Sequence, residues 1–465
     1  MARDNMLFGP AHCIGANGQQ TVIVISSHEI LNDLIEKRSS NYSSRPFMTR
    51  LNRATGGLYP PGMRYGPVWK ACRAIQGHVL RPSLSIKYRP LIDMESLRVA
   101  HQLLTTNDFS RSFKFLANSI SMTLGYGVTL QPGDNRIEGW DEVIRTKAPL
   151  MESVYRRTSF FPEYFPILRY LPGRWKWACD DIFRFRDNLY EEYFESVNTT
   201  KMWNWVKVAK DKRLGETLSL KAQAHAFGAI QEGSLSPVQV LRTDILAMLF
   251  HRDAMAKAQE ELDRVVGDGR LPTFGDAINL PYVNAFMNES HRWRPFTPFI
   301  VPRSADEEDI YQGYRIPKHS TLLINYWAIL RDESLFPDPW TFDPDRWIRN
   351  PNLPNLMFGL GLRVCPGQQL GNDIRFIMVA RILWAYRVEY ASRAGKRVDV
   401  DRIHMQESAT GTAYNICPEF EVSFKPRDSG RKEIIEREWA AAEKDGCTIV
   451  STTLGKQNYE YGEVF

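Results

Sequence analysis

Ten residues late in the chain, Phe358 to Gly367 (FGLGLRVCPG), constrain it more than any other stretch. A single cysteine, Cys365, stands between a glycine-rich turn and LGNDIRFIMVARILWAY, whose apolar spacing predicts a helix opening directly behind the sulfur. Pro366 suits the first turn of that helix because it has no N–H to leave unpaired. The free amides of Gly367 and Gln368, with the positive end of the helix dipole, are then expected to face Cys365 and favour its thiolate. Gly361 and Gly367 permit a tight turn and a close approach of the backbone to a bound group.

The remainder of the chain has to supply a body for this loop. With 465 residues, 43% of them hydrophobic and 12% aromatic, it holds enough apolar material for a large core. A net charge of +5 is mild and gives no reason to expect nucleic acid. The six cysteines (Cys13, Cys72, Cys179, Cys365, Cys417, Cys447) are scattered, with neither zinc spacing nor a small secreted framework, which favours a reducing compartment. No window carries about 18 consecutive apolar residues, and MARDNMLFGPAHCIG is not a secretory signal, so no membrane span is expected.

Phe358, Gly361, Arg363, Cys365 and Gly367 match the haem-binding signature F-x-x-G-x-R-x-C-x-G, and the chain resembles the cytochrome P-450 superfamily of haem-thiolate monooxygenases. The resemblance runs from the strand TVIVIS (21–26) to PEFEVSFKPR (418–427) and is strongest to fungal secondary-metabolism members. It implies a mainly α fold, a triangular helical body with a small β-rich part, as one domain over 1–465. It also implies haem b, with Cys365 as the axial iron ligand. A thiolate in that place pushes electron density onto the iron and favours O–O cleavage. Arg363 has the geometry for a bidentate pair with a haem propionate. Trp69 and Arg73, one helical turn apart, resemble the family's W-x-x-x-R pair near a propionate, and Arg303 stands where relatives carry a basic residue toward one. Eukaryotic members usually begin with an anchor helix. This sequence reads as starting just beyond it, so it is expected in the cytoplasm or on the cytosolic face of the endoplasmic reticulum, unless its true start is missing.

Glu289 and Arg292, three apart in ESHR, resemble the family's E-x-x-R, and Arg346 in FDPDRW its second arginine. Together they imply a buried carboxylate held between two guanidiniums, a lock on the segment leading to Cys365. Elsewhere HEILNDLIEKRS reads as an amphipathic helix, and 43–66 as a long loop of the kind that is often functional. RDNLYEEYFESV reads as a core aromatic helix and 238–265 as a strongly helical run. Proline-rich 160–173 resembles a loop near the substrate entrance, and 431–465 is expected to be a charged tail with an exposed helix.

One segment departs from the family. Its oxygen-activating helix carries A/G-G-x-D/E-T-T/S, where QEGSLSP here puts Gly233 on the glycine, Leu235 on the acid, Ser236 on the threonine and Pro237 after it. Leucine cannot relay a proton, so Ser236, bonded back to the carbonyl of Glu232 or holding a water, is the remaining catalytic hydroxyl. Pro237 is expected to kink the helix, and Glu232 to face solvent. The leading expectation is a monooxygenase that oxidises a hydrophobic small molecule with O₂ and electrons from NADPH through a flavoprotein reductase. That reductase is expected to dock near Lys70, Arg73 and Arg81. The altered helix keeps open peroxide-driven oxidation, rearrangement or dehydration, or an inert haem-binding protein. Expected substrate contacts are the 47–65 loop, Phe227, Ile230, Phe296, Phe299, Ile300, Thr412 and Tyr414.

Overall fold

The computed structural model describes residues 11–16, 20–155, 170–234, 236–299, 301–393, 396–397 and 420–454. The first half supplies α1 (Thr49–Ala54), α2 (Pro67–Val79), α3 (Arg89–Gln102), α4 (Phe109–Tyr126), α5 (Arg136–Tyr155), α6 (Arg174–Ser196) and α7 (Trp205–Asp211). The second supplies α8 (Leu220–Gly233), α9 (Ser236–Phe250), α10 (Arg252–Val265), α11 (Pro281–Trp293), α12 (Asp345–Arg349), α13 (Gln368–Ala385), α14 (Ser429–Ala441) and α15 (Gly446–Leu454).

Local chemistry explains the best-defined of these. Helix α2 opens on Pro67 and buries Trp69, Cys72, Ile75 and Val79 at spacings of three and four. Helix α4 starts where the Asp108 side chain accepts from the Arg111 N–H and stops at Gly127, whose φ of 69° suits glycine. Nearly all of α4 is buried, so it runs through the core and not along its edge. The aromatic helix behaves as expected: on α6, Tyr190 stacks on Trp140 of α5 at a centroid distance of 5.5 Å and Tyr193 meets it tilted at 5.6 Å. At the centre, α13 packs against α3, α9 and α10. Arg375 of α13 reaches Asp244 of α9 at 2.6 and 2.8 Å and the Met287 carbonyl of α11 at 2.6 Å, pinning three helices with one buried cation.

The β part is small. Strands β1 (Ala11–Ala16), β2 (Gln20–Ile25), β3 (Arg303–Ser304) and β4 (Thr321–Ile324) form a sheet in the order β1-β2-β4-β3. β2 and β4 are parallel, and β3 lies antiparallel to β4 with Arg303 opposite Leu322. A second core of Ile25, Leu31, Leu34, Ile35, Ile324, Tyr326 and Trp347 fills the space behind this sheet. Strands β5 (Tyr386–Tyr390) and β6 (Val422–Pro426) pair antiparallel after α13. The mainly helical body with a small β region is as expected.

Four local expectations change. The 43–66 stretch is not one loop, since it contains α1 and a 3₁₀ turn at Pro60–Gly62. The 238–265 run is two helices, α9 and α10, which part at His251 (φ −114°, ψ 67°). HEILNDLIEKRS begins as an α-helical turn, His28–Leu31, and continues as a π-helix, Asn32–Lys37. The end of the chain is not simply exposed. Helices α14 and α15 dock on α3 and α4 and bury Ile434, Ile435, Val450 and Leu454. Most of the 160–173 loop lies outside the described residues. Among the described residues, no helix is long and apolar enough to cross a membrane.

Candidate active site

The cysteine loop is shaped by its glycines and by what they touch. Gly361 has φ 63°, and a β-carbon there would lie 2.5 Å from the Ile35 carbonyl oxygen, so no other residue fits without moving the chain. Its N–H donates to Glu36 Oε1 at 2.9 Å. The Cys365 N–H donates to the Phe358 carbonyl at 2.8 Å and closes the loop. Helix α13 then starts two residues later than the sequence pattern suggested, with Gly367 as its N-cap.

Cys365 presents an exposed face, while protein crowds its other sides. That crowding pushes its thiol pKa up, and the Gly367 N–H and the Arg73 cation pull it down. Gly367 is thus the amide donor expected behind the sulfur. Arg73 projects from α2 and donates to the Val364 carbonyl at 2.5 Å. Trp69, one turn earlier, lies under the Arg363 guanidinium at 4.1 Å. Arg363 itself donates to the carbonyls of Ser43 (2.8 Å), Pro60 (3.2 Å) and Met63 (2.7 Å). Its fork therefore already ties the 43–63 segment to the loop, which limits the bidentate propionate pairing expected of it. Arg303, held on β3, is fully buried and donates to the Leu360 carbonyl at 2.9 Å. Its Nε and Nη1 have no acceptor among the described residues.

These cations test whether haem b fits. Burial lowers the Arg303 pKa to about 10. Burial, then repulsion from Arg303 and Arg73, lowers Arg363 to about 9. A buried cluster of guanidiniums with unmet donors is costly unless an anion joins it. A macrocycle bearing two carboxylate arms, with a metal centre for the accessible sulfur, meets both needs. The residues present fit it: Cys365 to the iron, and Arg303 with Arg73 to the carboxylates.

Behind the loop the lock residues meet. Glu289 takes Arg292 Nε at 2.8 Å and Nη2 at 2.7 Å, and Arg346 Nε at 3.2 Å. Trp347 Nε1 and the Asp343 N–H complete its shell at 3.0 and 2.9 Å. Spare donors of Arg292 and Arg346 hold carbonyls of Leu330, Pro337, Pro339 and Thr341, so one buried carboxylate organises the whole segment. Trp347 as a further partner was not foreseen, although it adjoins Arg346 in DRW.

On the opposite side, α8 ends at Gly233 and α9 begins at Ser236, with Pro237 in its first turn. The helix is interrupted here, a larger change than the expected kink. Leu235 lies outside the described residues. Ser234 Oγ, not Ser236, bonds back into the helix, to the Gln231 carbonyl at 2.6 Å. Glu232 does not face solvent: it is buried and bonds to Arg186 and the Tyr190 hydroxyl of α6. A carboxylate in the last turn of a helix opposes the helix dipole, so a buried one needs such a cation. Helix α2 joins the two sides, because it carries Arg73 to the cysteine loop and packs on α8.

The family model Cytochrome P-450 matches residues 8–407. The chain belongs to the cytochrome P-450 family. It is 41% identical over 448 residues, 95% of this chain and 83% of the relative, to the echilunin cytochrome P-450 monooxygenase of Aspergillus ruber. It is 36% identical to fumitremorgin C synthase of Neosartorya fischeri, covering 92% of this chain and 84% of that one. A zebra fish cytochrome P-450 structure with abiraterone superposes with a TM-score of 0.73 at 20% identity, over 92% of this chain and 98% of that one, which supports the fold. A cytochrome P-450 carries haem, so the fit at Cys365 and the family agree.

Of the expected substrate contacts in this cytochrome P-450, Phe227 is buried against Phe194 at 6.1 Å, and Ile230 follows on the next turn of α8. Phe296 and Phe299 are half-buried. Ile300, Thr412 and Tyr414 lie outside the described residues. Sequence reasoning missed Arg186. The available signal was a lone glutamate in the apolar run AHAFGAIQEG, which had to find a cation somewhere.

Proposed function

We propose that this cytochrome P-450 is a haem-thiolate monooxygenase acting on an apolar small molecule of fungal secondary metabolism. One atom of O₂ enters a C–H bond of the substrate and the other leaves as water. NADPH supplies the two electrons through a flavoprotein reductase, and its hydride and a solvent proton balance the water. The observation that carries this reading is Cys365: a residue with an exposed face, served by the Gly367 N–H and Arg73, in a loop whose Leu360 carbonyl holds the buried Arg303, two of whose donors have no acceptor among the described residues.

Bound there, haem supplies an iron whose thiolate ligand favours O–O cleavage. The chain's own residues do the rest. Cys365 would hold the metal, Arg303 and Arg73 would hold carboxylates, and the Glu289 lock keeps the preceding segment in register. Phe227, Ile230, Phe296 and Phe299 offer apolar walls with few polar anchors. Ser236, half-buried in the first turn of α9, is the hydroxyl we assign to passing a proton from water. Electron delivery through the basic edge of α2, where Lys70 is exposed beside Arg73, fits a partner with an acidic face. Association with the cytosolic face of the endoplasmic reticulum is consistent with use of such a reductase.

A second reading follows from the interruption at Ser234–Ser236. With no acid at 235 and Glu232 taken by α6, chemistry that needs no proton relay is the alternative: peroxide-driven oxidation, rearrangement or dehydration. Turnover under ¹⁸O₂ with NADPH and reductase separates the two. We expect one labelled oxygen per oxidised product. An NADPH-independent product without label overturns the monooxygenase reading. A reduced carbon-monoxide spectrum lacking a thiolate-type Soret band overturns both and leaves an inert haem-binding protein.

A further inference from the structure

Arg186 is a buried cation whose bonding is incomplete among the described residues. It lies on α6, is 2% exposed, and faces Glu232 and Tyr190. Its Nε and Nη1 have no acceptor among the described residues. Next to it on α6, Asp187 takes His225 Nε2 at 3.0 Å and Lys221 Nζ at 2.6 Å. A buried N–H without an acceptor costs roughly 1–3 kcal/mol. An apolar pair would hold the helices as well, so the buried charge itself needs a reason.

The surroundings say what the open donors face. Among the described residues two rings cover the guanidinium, Tyr59 at 5.8 Å and Tyr190 at 5.6 Å. Tyr59 belongs to the 47–65 segment. It packs in one apolar cluster with Met48, Leu51, Cys179 and Ala229, against which Val301 also lies. Three parts distant in sequence, the 47–65 segment expected at the substrate, Ala229 of α8 and Val301, therefore meet beside Arg186. Arg45 fastens two of them, donating to the Pro61 carbonyl at 2.8 Å and to the Val301 carbonyl at 2.7 Å.

We propose that Arg186 is a specificity-determining polar anchor of the substrate chamber, whose Nε and Nη1 take a neutral oxygen acceptor, an amide or ketone carbonyl, of an otherwise apolar substrate. The acceptor is neutral because Glu232 already balances the guanidinium, and a substrate carboxylate would lie against a like charge. Tyr59 is the cover that turns aside to admit it. The proposal rests on the haem-thiolate reading above and deepens it.

Imidazoles test both separately, because their ring nitrogen ligates haem iron whatever the tail. Phenyl-capped imidazoles of graded tether length are prepared in pairs, one member bearing a ketone in the tether and its twin a methylene. Affinities are read from the Soret shift of the full-length haem protein. We expect the ketone member to bind about tenfold tighter at one tether length. The preference should collapse in the double variant Arg186→Met/Glu232→Gln, which leaves no buried charge unpaired, and shrink in Arg186→Lys. Equal affinities for every pair in the unaltered protein overturn the anchor, as does a preference that survives the double variant. Absence of any Soret shift with imidazole overturns the haem-thiolate reading itself, and the anchor with it.

Discussion

Glu289 shows how much a single residue carries in this protein. It is fully buried between two guanidiniums, an indole N–H and a backbone amide, so truncating it leaves Arg292 and Arg346 as buried unpaired cations. Breaking such a pair costs on the order of 3–5 kcal/mol. Glu289→Ala is therefore expected to yield protein with several-fold less haem per chain, and normal loading would sink the lock as the reason for its position. Two residues on, His291 is buried with no partner for Nε2 among the described residues, and burial followed by the nearby Arg375 cation lowers its pKa to about 3. The folded protein thus keeps His291 neutral, while the unfolded chain binds a proton near pH 6.5. Stability falls as pH drops from about 6.5 toward 3, at up to about 1.4 kcal/mol per unit. Urea unfolding at pH 7 and pH 5.5 should show a smaller loss for His291→Leu than for the parent. Equal losses would contradict the assignment.

At the scale of elements, what matters is where helices stop. The cysteine turn and the lock were readable because each is encoded by residues close together or in fixed order before Cys365. Gly361 is the clearest case, since its left-handed φ and the Ile35 oxygen behind it both demand glycine. Gly361→Ala should cost roughly 1–3 kcal/mol and loosen haem retention, measured as faster haem loss to apomyoglobin; retention at the parent rate would argue that the turn can shift. The interruption between Gly233 and Ser236 was only half readable. Pro237 signals a break, but whether it bends one helix or starts another depends on what grips the two ends. Here Glu232 is gripped by Arg186, 46 residues away on another helix, a pairing that no local periodicity records. Ser236→Ala tests the hydroxyl that remains. We expect a larger share of NADPH to end as hydrogen peroxide with the spin-state response to substrate unchanged. Unchanged coupling would remove Ser236 from the proton path.

For the whole molecule, the docked end of the chain is the least expected feature. The Lys444 carbonyl accepts from Arg98 at 3.3 Å, Trp439 stacks on His101 at 5.3 Å, and the Cys447 N–H donates to Thr129 at 3.1 Å. Beneath them the buried pair Glu95–Arg98 closes at 2.9 Å, with Ser119 on the same carboxylate at 2.7 Å. The charged composition of 431–445 concealed this, because Ile434 and Ile435 form a narrow apolar stripe among many charges. A chain stopped after Arg427 loses four buried aliphatic side chains, each contributing roughly 1.5–3 kcal/mol before ordering costs. Its half-life at elevated temperature should shorten markedly, with the first protease cuts in α3 and α4, and a parent-like half-life would show that α14 and α15 are passengers. The strap also orders events in time. Arg98 and the Lys444 carbonyl are separated by 346 residues, so the later one is synthesised long after the earlier. The α3–α4 pair leaves the exit tunnel with its carboxylate and guanidinium uncovered and stays so until α14 and α15 have followed. The finished fold is thereby a report that the chain has been made at least as far as α15, and a chain stopped before it leaves that face of α3 and α4 bare.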